Sequence, residues 1–337
     1  MSVLVTGGAG YIGSHTVKAL RATGADVVIF DNLCAGHRAA AKAAHAPLEE
    51  GDIRDSGRVR EVMQAHEVTA VMHFAAWLSV GDSVKDPVSY YENNVGGTLA
   101  VLRAAADCGV EHFIFSSTAA TFGNPVETPI TETHPQRPIN PYGETKLAIE
   151  RALPHFETAY GIKSVVLRYF NASGADPEGV LGEDHHPEQH LIPRAIDAAL
   201  GRDTFAIFGL DYPTPDGTCL RDYVHVSDLA SAHILALESL RAGGPSASYN
   251  LGNGKALSVR DVLESIERVT GLKVPAGDGP RRPGDPAVLY ASSDRIKREL
   301  GWKPHYEDID VIVETAFRWR EKHAKGYEDR ESRAAVR

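Results

Sequence analysis

The chain has little cysteine: Cys34, Cys108 and Cys219 are three thiols among 337 residues, widely spaced and with no C-x-x-C pair. They cannot build a disulfide framework, and they predict buried or incidental thiols in a reducing compartment. Positive charge is also scarce. A formal net charge of −10 excludes a general nucleic-acid binder, which needs a basic face to neutralise phosphates. Any anionic ligand therefore has to be held locally. No apolar run approaches about 18 residues, and Met1 leads into Val3-Leu4-Val5 without a basic flank or a cleavage-site pattern. The expectation is a cytoplasmic enzyme with no membrane span. There is no internal repeat. What is present is ordinary for a globular protein: 43% apolar and 24% charged residues, with 31 glycines that imply tight turns or close backbone approaches. The length suits one large composite domain or two closely joined ones.

Short apolar runs alternate with helical patterns through the first half. The runs are "SVLVT" (2–6), "DVVIF" (26–30), "TAVMHFA" (69–75), "HFIFSS" (112–117) and "KSVVLRYF" (163–170). Continuous rather than alternating apolar residues predict strands covered on both faces. Helices are predicted at about 11–23, 55–66, 84–107 and 141–160. The fold class that follows is α/β, a Rossmann-type doubly wound parallel sheet with right-handed crossovers. After residue 170 the rhythm breaks into loops and short strands rich in Gly, Pro, Asp and His, with helices near 191–200, 225–241, 258–270 and 308–322. Ser258 and Asp261 fit a capping box and Gly271 a helix stop. The expected organisation is a Rossmann domain over 1–170, an interleaved smaller α/β substrate lobe over 171–322, and a frayed charged tail over 323–337.

The first strand ends in "TGGAGYIGSH", where Gly8, Gly10 and Gly13 satisfy G-x-G-x-x-G and Gly7 adds a further permissive position. This pattern gives a tight turn, lets the backbone approach a pyrophosphate and places the anion at a helix N-terminus. The second strand ends in Asp31, 18 residues beyond Gly13. A carboxylate there accepts hydrogen bonds from an adenosine ribose and repels an added phosphate, so NAD is expected rather than NADP. Asp52 in "GDIRD" could hold adenine, although a surface turn accounts for it almost as well.

In "INPYGETKLAIE", Asn140 is a good N-cap and Pro141 a good first helical residue, which puts Tyr142 in the first turn. Tyr142, Lys146, Ile149, Leu153, Phe156 and Tyr160 share one face, although Pro154 leaves the second half of the helix uncertain. A phenol near pKa 10 needs about 3 units, or about 4 kcal/mol, to act as a base at pH 7. A lysine charge at about 6 Å and an effective dielectric near ~20 supplies about 2.8 kcal/mol, roughly 2 units. A bare Y-x-x-x-K also fits an amphipathic helix whose Tyr and Lys simply reach solvent. The strand end Ser116-Ser117-Thr118 shifts the balance, because C-terminal strand ends face the ligand crevice of a doubly wound sheet. Thr118 is the expected partner of Tyr142, with Ser116 and Ser117 serving packing or cofactor contacts.

Taken together, "TGGAGYIG", "FDNL", "GDIRD", "HFAA", "NNVGGT", "SSTAATFG", "PYGETK", "RYFNASGA", "HLIP", "AIFGLDYPTPDGTCLRDYVHVSDLA", "YNLGNG" and "RRPGDP" resemble the extended short-chain dehydrogenase/reductase superfamily, and within it the UDP-glucose 4-epimerase family. The resemblance runs from residue 3 to about residue 320. It implies NAD contacts from Gly7, Gly10, Tyr11, Ile12, Gly13, Asp31, Asn32, Asp52, Ile53, Phe74, Ala75, Ala76, Asn94, Ser116, Tyr142, Lys146 and Tyr169. It implies catalysis by Tyr142, Thr118 and Lys146. It places a UDP-hexose against Thr118, Tyr142, Asn171, His190, Leu191, Phe208, Arg221, Tyr223, Arg282 and Asp285. The two arginines would clamp a diphosphate bidentately, which answers the charge deficit. A homodimer through helices near 90–107 and 142–160 is implied as well.

Three positions depart from forms seen in some members. Leu78 stands where some have a lysine on the cofactor ribose, His190 replaces an asparagine, and Leu289 lies near the wall bordering the sugar C2 substituent, where it could admit N-acetylhexosamines. The implied reaction interconverts UDP-glucose and UDP-galactose: NAD-mediated oxidation at C4, rotation of the 4-keto sugar and hydride return, with no net redox change. The residues after Thr118 are Ala119, Ala120 and Thr121, so the acid needed by related dehydratases is missing. Epimerases of UDP-glucuronate or UDP-xylose, or a non-catalytic NAD-sensing protein, are the alternatives. The histidines of "HHPEQH" (185–190) are set aside as a metal site, because three histidines in a polar loop do not close a ligand set.

Overall fold

The computed structural model describes residues 2–282 and 285–328. In the first half, strands β1 (Ser2–Thr6), β2 (Asp26–Asp31), β3 (Leu48–Glu50), β4 (Val68–His73), β5 (His112–Thr118) and β6 (Lys163–Tyr169) alternate with helices. The helices are α1 (Tyr11–Ala22), α2 (Arg38–Ala43), α3 (Ser56–Ala65), α4 (Val80–Lys85), α5 (Pro87–Tyr90), α6 (Thr98–Asp107) and α7 (Pro141–Tyr160). The second half adds β7 (Asn171–Ser173), α8 (Leu191–Ala199), β8 (Phe205–Phe208), β9 (Leu220–Arg221), β10 (Tyr223–His225), α9 (Val226–Arg241) and β11 (Ala247–Leu251). It ends with β12 (Leu257–Ser258), α10 (Val259–Thr270), β13 (Ala276–Gly279), β14 (Val288–Leu289), α11 (Asp294–Leu300) and α12 (Ile309–Lys322).

The central sheet is parallel throughout, in the order β11-β6-β5-β4-β1-β2-β3. Its strands are apolar on both sides because both faces are covered. Val3, Val5, Ile29 and Met72 pack towards α1 and α9, while Leu4, Val28, Val71 and Phe113 pack towards α3 and α6. A third core joins α8, α10 and α12 through Ile196, Val262, Ile266 and Val313. Beside it lie three small sheets: β10-β7, β12-β9-β14 and β13-β8. Since β11 and α9 return to the central sheet, the second half of the chain is woven into the first. No described helix is long and apolar enough to cross a membrane.

Several expectations need correction. The helix expected over 84–107 is broken into α4, α5, a π-helical turn Tyr91–Gly97 and α6. Tertiary demand explains the break: Asn94 in that turn bonds the backbone of Trp77, accepting from its N–H at 2.8 Å and donating to its carbonyl at 3.0 Å. Helix α7 runs unbroken through Pro154, capped by the Asn140 side chain on the Gly143 N–H and ended by a left-handed Gly161. The tail is not frayed as far as residue 328. Tyr327 is buried against His37 and Trp319, and its hydroxyl accepts from the Gly182 N–H at 3.1 Å. Residues 329–337 of the expected tail, and Pro283 and Gly284 of "RRPGDP", lie outside the described residues.

Candidate active site

The glycine loop forms because no side chain fits. At Gly7 the backbone is left-handed (φ +71°), and a Cβ there would lie 2.6 Å from the Ala75 nitrogen; one at Gly13 would lie 2.2 Å from the Gly7 carbonyl oxygen. Gly10 starts α1 with no side-chain cap and no acid in the first turn. Free N–H groups and the positive end of the helix dipole therefore face the loop, where an anion is favoured. Gly8 packs against Ile29 of the neighbouring strand. Phe74 and Ala75 leave β4 beside this loop, both N–H groups donating to the Thr6 carbonyl at 2.9 and 3.1 Å.

Asp31 closes β2 at the same edge. Its Oδ2 accepts from the Ala9 N–H at 3.0 Å and its Oδ1 from the Leu33 N–H at 2.8 Å, so the carboxylate is fixed against the glycine loop. Asn32 donates to Asp52 at 3.2 Å. Arg54 grips the same carboxylate at 2.9 and 2.8 Å, and that hydrogen bonding draws the Asp52 pKa down to about 2. Ile53 is buried against Gly97, whose missing Cβ would lie 2.6 Å from it. Asp52, Ile53 and Asn32 thus sit together at the β2–β3 edge. Leu78, by contrast, is exposed.

The strand end of β5 holds the hydroxyls. Ser116 bonds the Tyr169 hydroxyl, and Ser117 donates to Glu150. Thr118 ends β5 close enough to Tyr142, in the first turn of α7, to pull the phenol's pKa down. One turn further, Lys146 is 3% exposed; its Nζ donates to the Ser116 carbonyl at 2.8 Å and lies 5.0 Å from the Phe115 ring centre. Burial raises the Tyr142 pKa to about 12, opposed by the Thr118 hydrogen bond. Burial also lowers Lys146 to about 7, opposed by Glu150. The expected lowering of the phenol by Lys146 is outweighed, on the chain alone, by the burial that raises it. On the chain's own groups the amine gives up its proton well before the phenol does.

Glu150 was missed in the sequence, although it follows Lys146 by one helical turn on the same face. It takes the Arg168 guanidinium at 2.6 Å and the Gln136 amide at 2.8 Å, deep under the β5 end. Asp222 was missed too. Fully buried, it accepts N–H groups of Asn253 (2.7 Å), Gly254 (3.1 Å) and Ala291 (3.2 Å), and burial lifts its pKa to about 6. The signal for both was an acid inside an otherwise apolar run.

The residues assigned to a UDP group cluster in the lobe. Arg221 is buried, paired with Asp285, and Arg282 lies 4.4 Å over the Phe208 ring. In register with Arg221 stands Leu289 of β14. Asn171 opens β7 with one residue between it and the end of β6, and its N–H and side-chain amide both reach the Asp222 carbonyl, at 3.0 and 2.8 Å. Tyr169, which ends β6, is in register with Thr118. His190 and Leu191 begin α8. Tyr223 is buried in the same cluster as Phe205, Ile207 and Tyr212. The loop before α8 also differs from expectation: Glu183 and Glu188 join His185 and His190 in one cluster.

The sequence model of the NAD dependent epimerase/dehydratase family matches residues 3–252. The chain is 51% identical over 331 residues to a UDP-glucose 4-epimerase of Lacticaseibacillus casei, covering 98% of this chain and 100% of that one. It is 47% identical over 329 residues to the UDP-glucose 4-epimerase of Streptomyces lividans, covering 97% and 98%. Its fold superposes on the crystal structure of UDP-glucose 4-epimerase from Brucella ovis in complex with NAD at a TM-score of 0.91, with 50% identity over 94% of this chain and 97% of the other. The Bifidobacterium longum UDP-glucose 4-epimerase in complex with NAD+ and UDP gives 0.92, at 37% identity over 97% and 100%. With the glycine loop, the Tyr-x-x-x-Lys helix and a family match spanning most of its length, the chain belongs to the NAD dependent epimerase/dehydratase family.

Proposed function

We propose that the chain interconverts UDP-glucose and UDP-galactose by inverting C4 of the bound sugar with NAD in place. One observation carries the reading: Lys146 of the Tyr142 helix donates to Ser116 at the end of β5, and Tyr169, in register with Thr118, stands two residues before Asn171, which bonds Asp222, the neighbour of Arg221.

The cradle around Gly7, Gly10 and Gly13 fits NAD: Gly7 and Gly13 let the loop close against the Ala75 backbone and against itself, and Gly10 puts no side chain over the α1 N-terminus. Tyr11, Ile12, Asp31, Asn32, Asp52, Ile53, Phe74, Ala75, Ala76, Asn94, Ser116 and Tyr169 would complete its site, with Lys146 on the nicotinamide ribose. When bound, NAD supplies the reversible two-electron oxidation at C4. Tyr142 takes the O4 proton and later returns it, and the Thr118 hydroxyl orients that proton. Bringing the phenol from about 12 towards 7 asks for about 7 kcal/mol. The Lys146 charge contributes about 2.8 kcal/mol, and the positive charge of an oxidised nicotinamide lowers the phenol further.

Arg221, Arg282, Phe208, Asn171, His190, Leu191 and Asp285 would hold the UDP. Ala119 and Ala120 follow Thr118 in a tight turn, so no acid stands ready to expel water, and elimination is disfavoured. The test is incubation of the purified protein with UDP-glucose, UDP-galactose and their N-acetyl counterparts without added NAD. Inversion at C4 is expected, with a loss of about 10²–10⁴-fold in Tyr142→Phe; no inversion of any sugar, or full activity in the variant, sinks the reading.

We also infer a homodimer. The expected interface, the helices near 90–107 and 142–160, carries Tyr91, Leu99 and Tyr160 at 45%, 38% and 58% exposed, and a second copy of the chain would cover them. Light scattering of Leu99→Glu should then report half the mass of the parent protein. With three thiols and no disulfide framework, the cytoplasm is the expected compartment.

A further inference from the structure

The histidine loop that the sequence reading set aside gains its missing ligands from the fold. Glu183, His185, Glu188 and His190 each offer one ligand atom, and those atoms all lie within 4.8 Å of one another. His185 Nδ1 is 3.2 Å from Glu183 Oε1 and 3.6 Å from Glu188 Oε1, while His190 Nδ1 is 3.9 Å from Glu188 Oε1 and hydrogen-bonded to Glu183. The Glu183 and Glu188 side chains are 6% and 9% exposed, His185 is 16% exposed and His190 44%. Oε2 of Glu188 is buried with no hydrogen-bond partner. Leaving a buried carboxylate oxygen bare typically costs about 1–3 kcal/mol or more. Something that accepts its lone pairs is called for.

We propose that Glu183, His185, Glu188 and His190 form a binding site for one divalent transition-metal cation of the zinc class. Ligands at about 2.0–2.1 Å in a tetrahedron stand roughly 3.3 Å apart, and the 3.2 Å from His185 to Glu183 lies near that value; Glu188 would offer its unpartnered Oε2, its Oε1 being held by the Gln189 and His190 N–H groups at 2.8 and 3.1 Å. Entry of the cation replaces the proton shared by Glu183 and His190 and spreads that pair to the same spacing. Two imidazoles and two carboxylates select zinc or cobalt over magnesium or calcium, which prefer all-oxygen sets. Two carboxylate charges balance a divalent cation, so no net charge is buried. His186 is not part of the set. The position is anchored on both sides: the Glu183 carbonyl accepts from Arg320 at 3.3 Å, and His190 is the residue that precedes the first turn of α8. The His185 ring also meets the Tyr11 ring edge-on at 6.3 Å between centres, so the cation would fix the loop between α1 and α8.

The test uses the tag-free full-length protein, stripped with a chelator and dialysed against zinc alone, with retained metal counted by elemental analysis. One zinc per chain is expected, and cobalt in its place should give the visible absorption of a tetrahedral site. His185→Ala and Glu188→Gln should each weaken retention by more than the ~10-fold that even an outer-shell change produces. Circular dichroism identifies a variant that fails to fold, in which case His185→Gln replaces it. Absence of stoichiometric zinc in the parent protein, equal retention in both variants, or loss of the metal in Cys34→Ser instead would each overturn the proposal.

Discussion

Lys146→Met probes the coupling at the centre of the site. In the parent protein the amine donates to the Ser116 carbonyl at 2.8 Å and burial holds its pKa near 7, while Tyr142 is held near 12. A gap of that size means the lysine surrenders its proton first, so its charge helps the phenol only where it is still present. A charge about 6 Å away at an effective dielectric of ~20 is worth roughly 2 pKa units, or about 100-fold in phenolate. Below pH 7 the variant should therefore lose about 100-fold in kcat, and the shortfall should shrink towards pH 9 as the parent amine discharges. Initial rates of UDP-galactose inversion from pH 6 to 9, expressed per NAD-loaded chain, read this directly. A loss below threefold at pH 6, or a loss that does not change with pH, would refute the coupling.

Other outcomes follow from single contacts. Glu150→Gln strands the buried Arg168 guanidinium and should cost about 3–5 kcal/mol in urea unfolding; a change below 1 kcal/mol would show that the ion pair is not needed to hold the β5 end. Asp222 has its folded-state pKa raised by burial to about 6 from 3.8, so its contribution to stability is fully present below about pH 4 and is lost as pH rises through 6. Relative to Asp222→Asn, the parent protein should lose about 3 kcal/mol between pH 4 and 7, and parallel stability profiles would contradict the assignment. Leu289→Tyr, placed beside Arg221 in the β9–β14 pair, should reduce turnover of UDP-N-acetylhexosamines more than that of UDP-galactose; unchanged N-acetylhexosamine turnover would count against Leu289 as the C2 wall.

The parts of this molecule that are legible in the sequence are those whose causes are local. Asn140 and Pro141 mark the start of α7, and Ser258 with Asp261 closes the expected capping box. The glycine loop is legible in part because Gly10 and Gly13 answer steric demands within one strand-turn-helix unit, whereas Gly7 and Gly8 also answer to Ala75 and Ile29 of neighbouring segments. Features set by distant partners are not. The π-helical turn at Asn94 exists because its amide must reach Trp77, and nothing near residue 94 announces that contact. Glu183 belongs to a cluster with His190 only after the loop has folded back on itself, and Tyr327 docks because Gly182 and Trp319 lie beneath it. The site shows the same division. Tyr142 and Lys146 are readable from helix spacing, but the ordering of their proton affinities comes from burial, which spacing does not encode.

The central claim is that C4 is inverted with no exchange of its hydrogen, while the O4 proton passes through Tyr142. Incubating the protein with UDP-galactose in deuterium oxide, without added NAD, and following the sugar by proton NMR tests both halves at once. UDP-glucose should appear to equilibrium with its C4 position fully protiated. Deuterium at C4, or no inversion, would contradict the account.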